Sequence, residues 1–246
     1  MNIFQLVLVQ PLFNLLVFLY DAIPGSDMGV AIILLTLIIK LILWPFMNSS
    51  LKSQKAMQEI QPKIEELKKT HKDDKEALAK AMMTLYQQEK VNPLSSCLPL
   101  LIQFPILIAL YQVLLKGFDP AALNMLYSFV PNPGEIHKFF LGFLDLSVPS
   151  IWLAVLAGVF QFFQTKMLMS KSPPKQVAGS PGAKDETMLA SMNKSMLYFM
   201  PVMTVVIGIS LPGGLALYWV TVTVFSIVQQ VVVFRKKSTK VVTGSK

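Results

Sequence analysis

MGVAIILLTLIIKLILWPFM, residues 28–47, is the stretch that decides the fold. It is apolar along nearly its whole length and carries one charged residue, Lys40. A helix needs about 20 apolar residues, at 1.5 Å of rise each, to cross the hydrocarbon of a bilayer. Four further apolar tracts follow, at 94–116, 148–168, 196–211 and 213–234. The last two are one run broken at Leu211-Pro212-Gly213-Gly214. Proline lacks a backbone N–H and glycine favours turns, so a tight turn is expected there. The fourth tract is then short, which implies tilt or local thinning of the bilayer. The sequence thus predicts an all-α membrane protein with five transmembrane helices.

Composition agrees. Of 246 residues, 53% are hydrophobic and 15% charged, and the mean hydropathy is +0.54. Soluble domains carry about 25% charged residues. A soluble enzyme, a disordered chain and a disulfide-stapled domain are all disfavoured. The single cysteine, Cys97, cannot form an internal disulfide, and His71 and His137 stand far apart, so neither a zinc cluster nor any cofactor is expected.

The chain is nevertheless basic, with 22 Lys+Arg against 14 Asp+Glu and a net charge of +8. Nine lysines lie in 48–93, four in 170–195 (Lys171, Lys175, Lys184, Lys194), and the tail 235–246 holds Arg235, Lys236, Lys237, Lys240 and Lys246. Eighteen cations therefore fall on one side. The other side has none in 1–27 and only Lys138 in 117–147. By the positive-inside rule the N-terminus lies outside and the C-terminus in the cytoplasm. That requires an odd number of spans, as five is. The surplus is an orientation signal first, and a contact with ribosome or anionic lipid second.

Residues 1–27 are apolar but dotted with Gln5, Gln10 and Asn14 and interrupted by Pro11. The expectation is a helix lying in the outer interface, broken or kinked at Pro11. A sixth span, returning between Asp21 and Asp27, is the alternative. A cleaved signal peptide is disfavoured, since no basic region precedes the apolar run and no small-residue site follows it.

The cytoplasmic segment 48–93 has helical periodicity: Met57, Ile60, Ile64 and Leu67, then Leu78, Met82, Leu85 and Tyr86. It predicts two amphipathic helices, 51–70 and 73–89, joined by His71-Lys72. Asp73 and Asp74 suit the start of the second, and Pro62 should kink or restart the first. Such a hairpin either packs on itself with solvated faces or moves to meet a partner or headgroups. A second cytoplasmic loop is expected over 169–195.

Lys40 is the anomaly. An ionised side chain in mid-span costs about 2.5–3.5 kcal/mol on insertion scales. It could snorkel along its stem to the near interface, or face a wet cavity inside the bundle. Thr36 lies one turn before it, and Gln103, Gln161, Gln164, Thr221, Thr223, Ser226, Gln229 and Gln230 lie in other spans. Singly, such residues are ordinary helix–helix glue. As a set around one cation, with no carboxylate in any span, they point to a hydrated groove. Trp44-Pro45 reads as an interfacial anchor and helix stop, and Pro99, Pro105 and Pro201 as kinks. Fourteen methionines supply either filler or a surface that adapts to many apolar partners. No catalytic constellation and no Walker-type loop is present, so no enzyme is expected.

Several segments together resemble the YidC/Oxa/Alb insertases. They are Lys90-Val91-Asn92-Pro93-Leu94, the run from Cys97 to Ile106 with Gln103-Phe104-Pro105, and Ala109-Leu110-Tyr111. Others are Gln10-Pro11-Leu12, Gln61-Pro62-Lys63, Phe199-Met200-Pro201, Leu211-Pro212-Gly213-Gly214 running to Tyr218-Trp219, and Gln229-Gln230. The resemblance covers nearly the whole chain. It implies a short five-span form, lacking the large extracytoplasmic domain and extra span of many relatives. It also implies an outer interfacial helix, a cytoplasmic hairpin and a hydrophilic groove.

In that groove the family normally has arginine where this sequence has Lys40, and often asparagine where it has Thr223. Thr36, Tyr218 and Trp219 match positions that contact the entering segment, and Gln103 a polar groove position. Gln164 joins them as a groove candidate. The implied partners are nascent membrane proteins, the lipid bilayer, the Sec translocon, the ribosome and the signal recognition particle receptor, with a monomer as the active unit. A small-anion transporter or channel, or an assembly scaffold without insertase activity, are the alternatives.

Overall fold

The structure, a computed structural model, describes residues 2–71, 74–92, 98–117, 120–169 and 197–235. The expected loop 169–195 and the tail 235–246 fall almost wholly outside these residues.

The chain opens with a π-helical turn, Gln5–Val9, that runs directly into α1 (Gln10–Ala22). Pro11 explains the turn. A proline has no N–H to continue the ladder, and its ring crowds the preceding turn. The Gln10 N–H instead reaches back to the Gln5 carbonyl, widening the helix by one residue. The helix therefore adjusts at Pro11 and continues. Val9, Phe13, Leu16, Val17 and Tyr20 form one buried face against α2 (Met28–Ile42) and α6 (Leu98–Gly117). Residues Gln5–Ala22 are long and apolar enough to cross a membrane, as the six-span alternative requires.

Asp27 caps α2. Its Oδ1 accepts from the Val30 N–H at 2.9 Å, and its Oδ2 accepts from the Leu141 N–H at 2.6 Å. The tract 28–47 is not one straight helix. α2 ends at Ile42, and α3 (Trp44–Glu59) begins at once, bent by 67°. Pro45 accounts for the break, because it cannot donate to the Leu41 carbonyl and clashes with it. The same device separates α3 from α4 (Gln61–Thr70), where Pro62 lies in the first turn. The helix expected over 51–70 is thus two helices, the first of which starts within the preceding apolar tract. In α5 (Lys75–Gln88), Asp74 is the N-cap and accepts from the Ala77 N–H at 2.9 Å; Asp73 lies outside the described residues. α4 and α5 share a small core of Ile60, Ile64, Leu85 and Val91, flanked by Met57, Leu67, Met82 and Tyr86.

After α6 come a 3-10 turn (Pro120–Met125) and two short antiparallel strands, β1 (Phe139–Phe140) and β2 (Leu144–Asp145), with Phe139 opposite Asp145. The all-α expectation missed this hairpin, whose turn places Leu141 and Gly142 at positive φ. Three helices complete the fold: α7 (Ile151–Met169), α8 (Leu197–Gly208) and α9 (Gly213–Arg235). Among the described residues, the N-terminal helix, α7 and α9 are each long and apolar enough to span a membrane. The bent α2–α3 pair makes a fourth candidate, and α6 and α8 contribute shorter apolar helices.

α1, α2, α6 and α9 share the main core, in which Phe13, Val17, Leu35, Val113 and Leu215 are fully enclosed or nearly so. α8 reaches α7 closely through glycines. A Cβ on Gly158 would strike Val205, and one on Gly208 would lie 2.9 Å from the Ala154 Cβ. The Pro212 turn is stitched to the strand region. The Gly213 N–H donates to Val148 O at 2.8 Å and the Gly214 N–H to Leu146 O at 2.9 Å. The outer surface carries exposed Leu101, Phe104, Trp152, Val159 and Val228. A surface so continuous in large apolar residues suits hydrocarbon better than water.

Candidate functional site

Lys40 occupies the last turn of α2, on the face turned towards α9. Its residue is only 5% exposed. The ammonium lies 3.5 Å from Gln103 Oε1 on α6 and 3.3 Å from Ser226 Oγ on α9. The side chain therefore crosses to its neighbours rather than snorkelling along its own helix. Both acceptors are neutral, and Lys40 forms no ion pair with any carboxylate among the described residues.

Each partner is itself held. The Ser226 hydroxyl donates to the Val222 carbonyl at 2.8 Å, one turn back, which leaves its oxygen lone pairs for the lysine. The Gln103 amide nitrogen donates to the Tyr218 hydroxyl. Gln103 is thereby fixed with its oxygen towards the cation and its nitrogen towards the phenol. Tyr218 is 3% exposed and belongs to the main core. A chain of polar groups thus runs from Tyr218 through Gln103 and Lys40 to Ser226, bridging α2, α6 and α9.

These helices are unequally joined. α9 packs extensively on α2 and α7 but only thinly on α6. The polar chain fills the place where the α6 and α9 backbones stay apart. α6 exposes Leu101 and Phe104 at its surface. The site is thus a polar seam between apolar walls.

The other expected groove residues divide. Thr36 and Thr223 are buried, but each hydroxyl bonds its own helix: Thr36 to the Ile32 carbonyl at 2.6 Å, Thr223 to the Trp219 carbonyl at 2.8 Å. They line the region without joining the polar chain. Trp219 and Gln164 are half-buried, and among the described residues neither bonds to Lys40, Gln103 or Tyr218. Gln230 is enclosed with its side-chain oxygen unpartnered among the described residues. Ser226 is the one direct lysine partner that the motif match did not single out. Its place at i+3 from Thr223 and i+7 from Trp219 was the available signal. Among the described residues no group of acidic, histidine and cysteine side chains could hold a metal ion.

Apolar helices of spanning length around a buried, neutrally solvated cation define a helical membrane protein with a polar inter-helix site. The chain belongs to the family described as the 60Kd inner membrane protein, the YidC/Oxa/Alb family, whose pattern matches residues 18–240. It is 39% identical, over 93% of its length, to the membrane protein insertase YidC of Magnetococcus marinus. It is 38% identical to that of Francisella tularensis subsp. novicida and 36% to that of Francisella philomiragia, each over 85% of its length. The chain spans about a third of the length of these relatives, 36% of the first and 33% of the others.

Proposed function

We propose that the chain is a membrane protein insertase that works without covalent chemistry. It takes a short hydrophilic segment of a nascent membrane protein into a hydrated groove at Lys40 and releases the flanking hydrophobic segment into the bilayer. The observation that carries the reading is the Lys40 ammonium, buried between three helices and met, among the described residues, by the neutral Gln103 and Ser226. A cation without a counter-ion, in surroundings less polar than water, attracts an incoming carboxylate strongly.

The steps follow from the residues. An acidic side chain of the substrate approaches Lys40, displacing or sharing the weak contacts to Gln103 and Ser226. Tyr218 holds Gln103 in place and keeps an acceptor turned to the ammonium. Thr36, Thr223, Gln164 and Trp219 line the path of the segment. Transfer of the hydrophobic flank into lipid supplies the driving force, about 25 cal/mol per Å² of apolar surface. The thin α6–α9 seam is the exit.

In this reading five helices span, α2 with the start of α3, then α6, α7, α8 and α9, and residues 1–27 lie at the outer face. The N-terminus is outside and the basic segments are cytoplasmic. The α4–α5 hairpin meets the ribosome, the signal recognition particle receptor or the Sec translocon, and one copy suffices.

Reconstitution into liposomes with a single-span, short-tailed substrate tests the reading. Protease protection of the tail by purified chain alone is expected. Failure to protect it, while the chain still promotes assembly of an already inserted substrate, is the result of a scaffold. Specific anion flux without protection is the result of a transporter.

A further inference from the structure

A second candidate site lies beyond the Lys40 seam, towards the end of α9. A cleft of about 400 Å³ opens between α3 and the end of α9, lined by Trp44, Asn48, Lys52, Lys55, Glu59 and Val232, with Ala56 and Val233 behind. Asn48, Lys52, Lys55 and Glu59 recur at helical spacing along one face of α3. Trp44 is fixed at the rim by an edge-on contact with Phe225, centroids 5.7 Å apart. Asn48 is fixed as well, since its Oδ1 accepts from Gln229 Nε2 at 3.1 Å. Its amide nitrogen is a further donor to the cleft.

We infer that this cleft binds the headgroup of a monoanionic phospholipid of the phosphatidylglycerol type. Charge is the first argument. Among the described residues that line it, two lysines and one glutamate leave a single positive charge, matched to a single phosphodiester. Lys52 and Lys55 take the phosphate, and Asn48 and Glu59 are placed to bond headgroup hydroxyls, which phosphatidylcholine lacks. Depth is the second argument. The cleft sits where α2 gives way to α3, beside an indole, the residue type that settles at headgroup level.

Continuity is the third argument, and it separates a lipid from free phosphate or an acidic peptide. Val232 lines the cleft, and Val228 stands one turn deeper on the same side of α9, 54% exposed. An apolar track therefore leads from the charged pocket down the helix, which suits an acyl chain and serves neither rival. The inference needs the helices to lie in a bilayer but does not depend on insertase activity.

Native mass spectrometry of the full chain in dodecyl maltoside, titrated with dioleoyl phosphatidylglycerol or dioleoyl phosphatidylcholine, tests it. Expected is a phosphatidylglycerol adduct at least about fivefold more occupied than the phosphatidylcholine adduct. Lys52→Gln with Lys55→Gln should weaken it by roughly 30-fold, and Lys52→Arg with Lys55→Arg should keep it. Val232→Trp, which fills the cleft and leaves the charge alone, should also lose it, with an unchanged circular dichroism spectrum. Equal occupancy of the two lipids, or retention by the double glutamine variant, overturns the inference. So does displacement by inorganic phosphate at equal concentration, or binding of an acidic decapeptide where the lipid does not bind. None of these readouts involves insertion, so a failure here leaves the insertase reading standing.

Discussion

Gln103 presents its side-chain oxygen to the Lys40 ammonium at 3.5 Å while its nitrogen is committed to Tyr218. A neutral amide occupies the place where a carboxylate would have made a buried ion pair. The cation is thereby solvated but not neutralised, and it keeps its attraction for any carboxylate that approaches.

Charge at these two positions should therefore govern insertion of acidic-tailed substrates. Lys40→Arg should insert them within about twofold of the unaltered chain, because charge is retained. Lys40→Glu and Gln103→Glu should each lower insertion about tenfold or more, the first by repulsion and the second by neutralising the lysine. Protease protection in liposomes reads all three. Undiminished insertion by Lys40→Glu would remove the electrostatic step.

Gly29 lies where any side chain would collide with the Phe140 ring of β1. Gly29→Ala should destabilise the protein by about 1–3 kcal/mol through overpacking. Combining it with Phe140→Ala should recover part of that loss, giving a non-additive pair in thermal unfolding in detergent. Strict additivity would show that helix and hairpin do not meet.

Asp145 accepts from both the Ser147 N–H, at 2.8 Å, and the Ser147 hydroxyl, at 2.6 Å. These bonds hold its carboxyl below the usual carboxylate range, against a small opposing effect of burial. A depressed folded-state value means that the contribution to stability is complete above the unfolded value, about 3.9. It is lost as pH falls through the folded one. Ser147→Ala should move the Asp145 titration up towards its ordinary range, read from the carboxyl carbon shift. An unmoved titration would rule out the hydroxyl as the principal cause.

The α4–α5 pair rests on a separate small core, in which Ile64 is 4% exposed. Ile64→Ala should weaken that unit by about 2 kcal/mol. Hydrogen exchange should then quicken in 61–88 by roughly 30-fold, with α2, α7 and α9 unaffected. Quickening throughout the bundle would mean that the two units unfold together.

How far the sequence carried these conclusions depends on the type of contact. The apolar tracts were legible because span length and hydropathy are local properties, and α9 begins at Gly213 as the Pro-Gly-Gly run implies. Asp74 and Pro62 were legible as cap and restart for the same reason. The bend after Ile42 was half-legible: Trp44-Pro45 signalled a stop, but nothing local states that a new helix starts at once, or at what angle. The meeting of Lys40 with Gln103 and Ser226 depends on how three helices are rotated about their axes, which an all-round apolar helix such as α6 does not encode in its periodicity. Gln164, grouped by residue type, and Trp219, grouped by motif match, lie half-buried without bonding to Lys40, Gln103 or Tyr218 among the described residues. Asn48 and Gln229, 181 positions apart, find each other through the same unencoded rotation.

The two ends of the bundle are built differently. At one end, backbone bonds from Gly213 and Gly214, the Asp27 carboxylate on Leu141, and the Tyr20 hydroxyl on the His137 N–H tie helix ends and loops together. At the other, α3 turns aside by 67°, and α6 and α9 meet through side chains. With backbone bonds at one end and side-chain contacts at the other, a change at Gln103 or Ser226 loosens the Lys40 end and leaves the bonds of Gly213 and Gly214 in place.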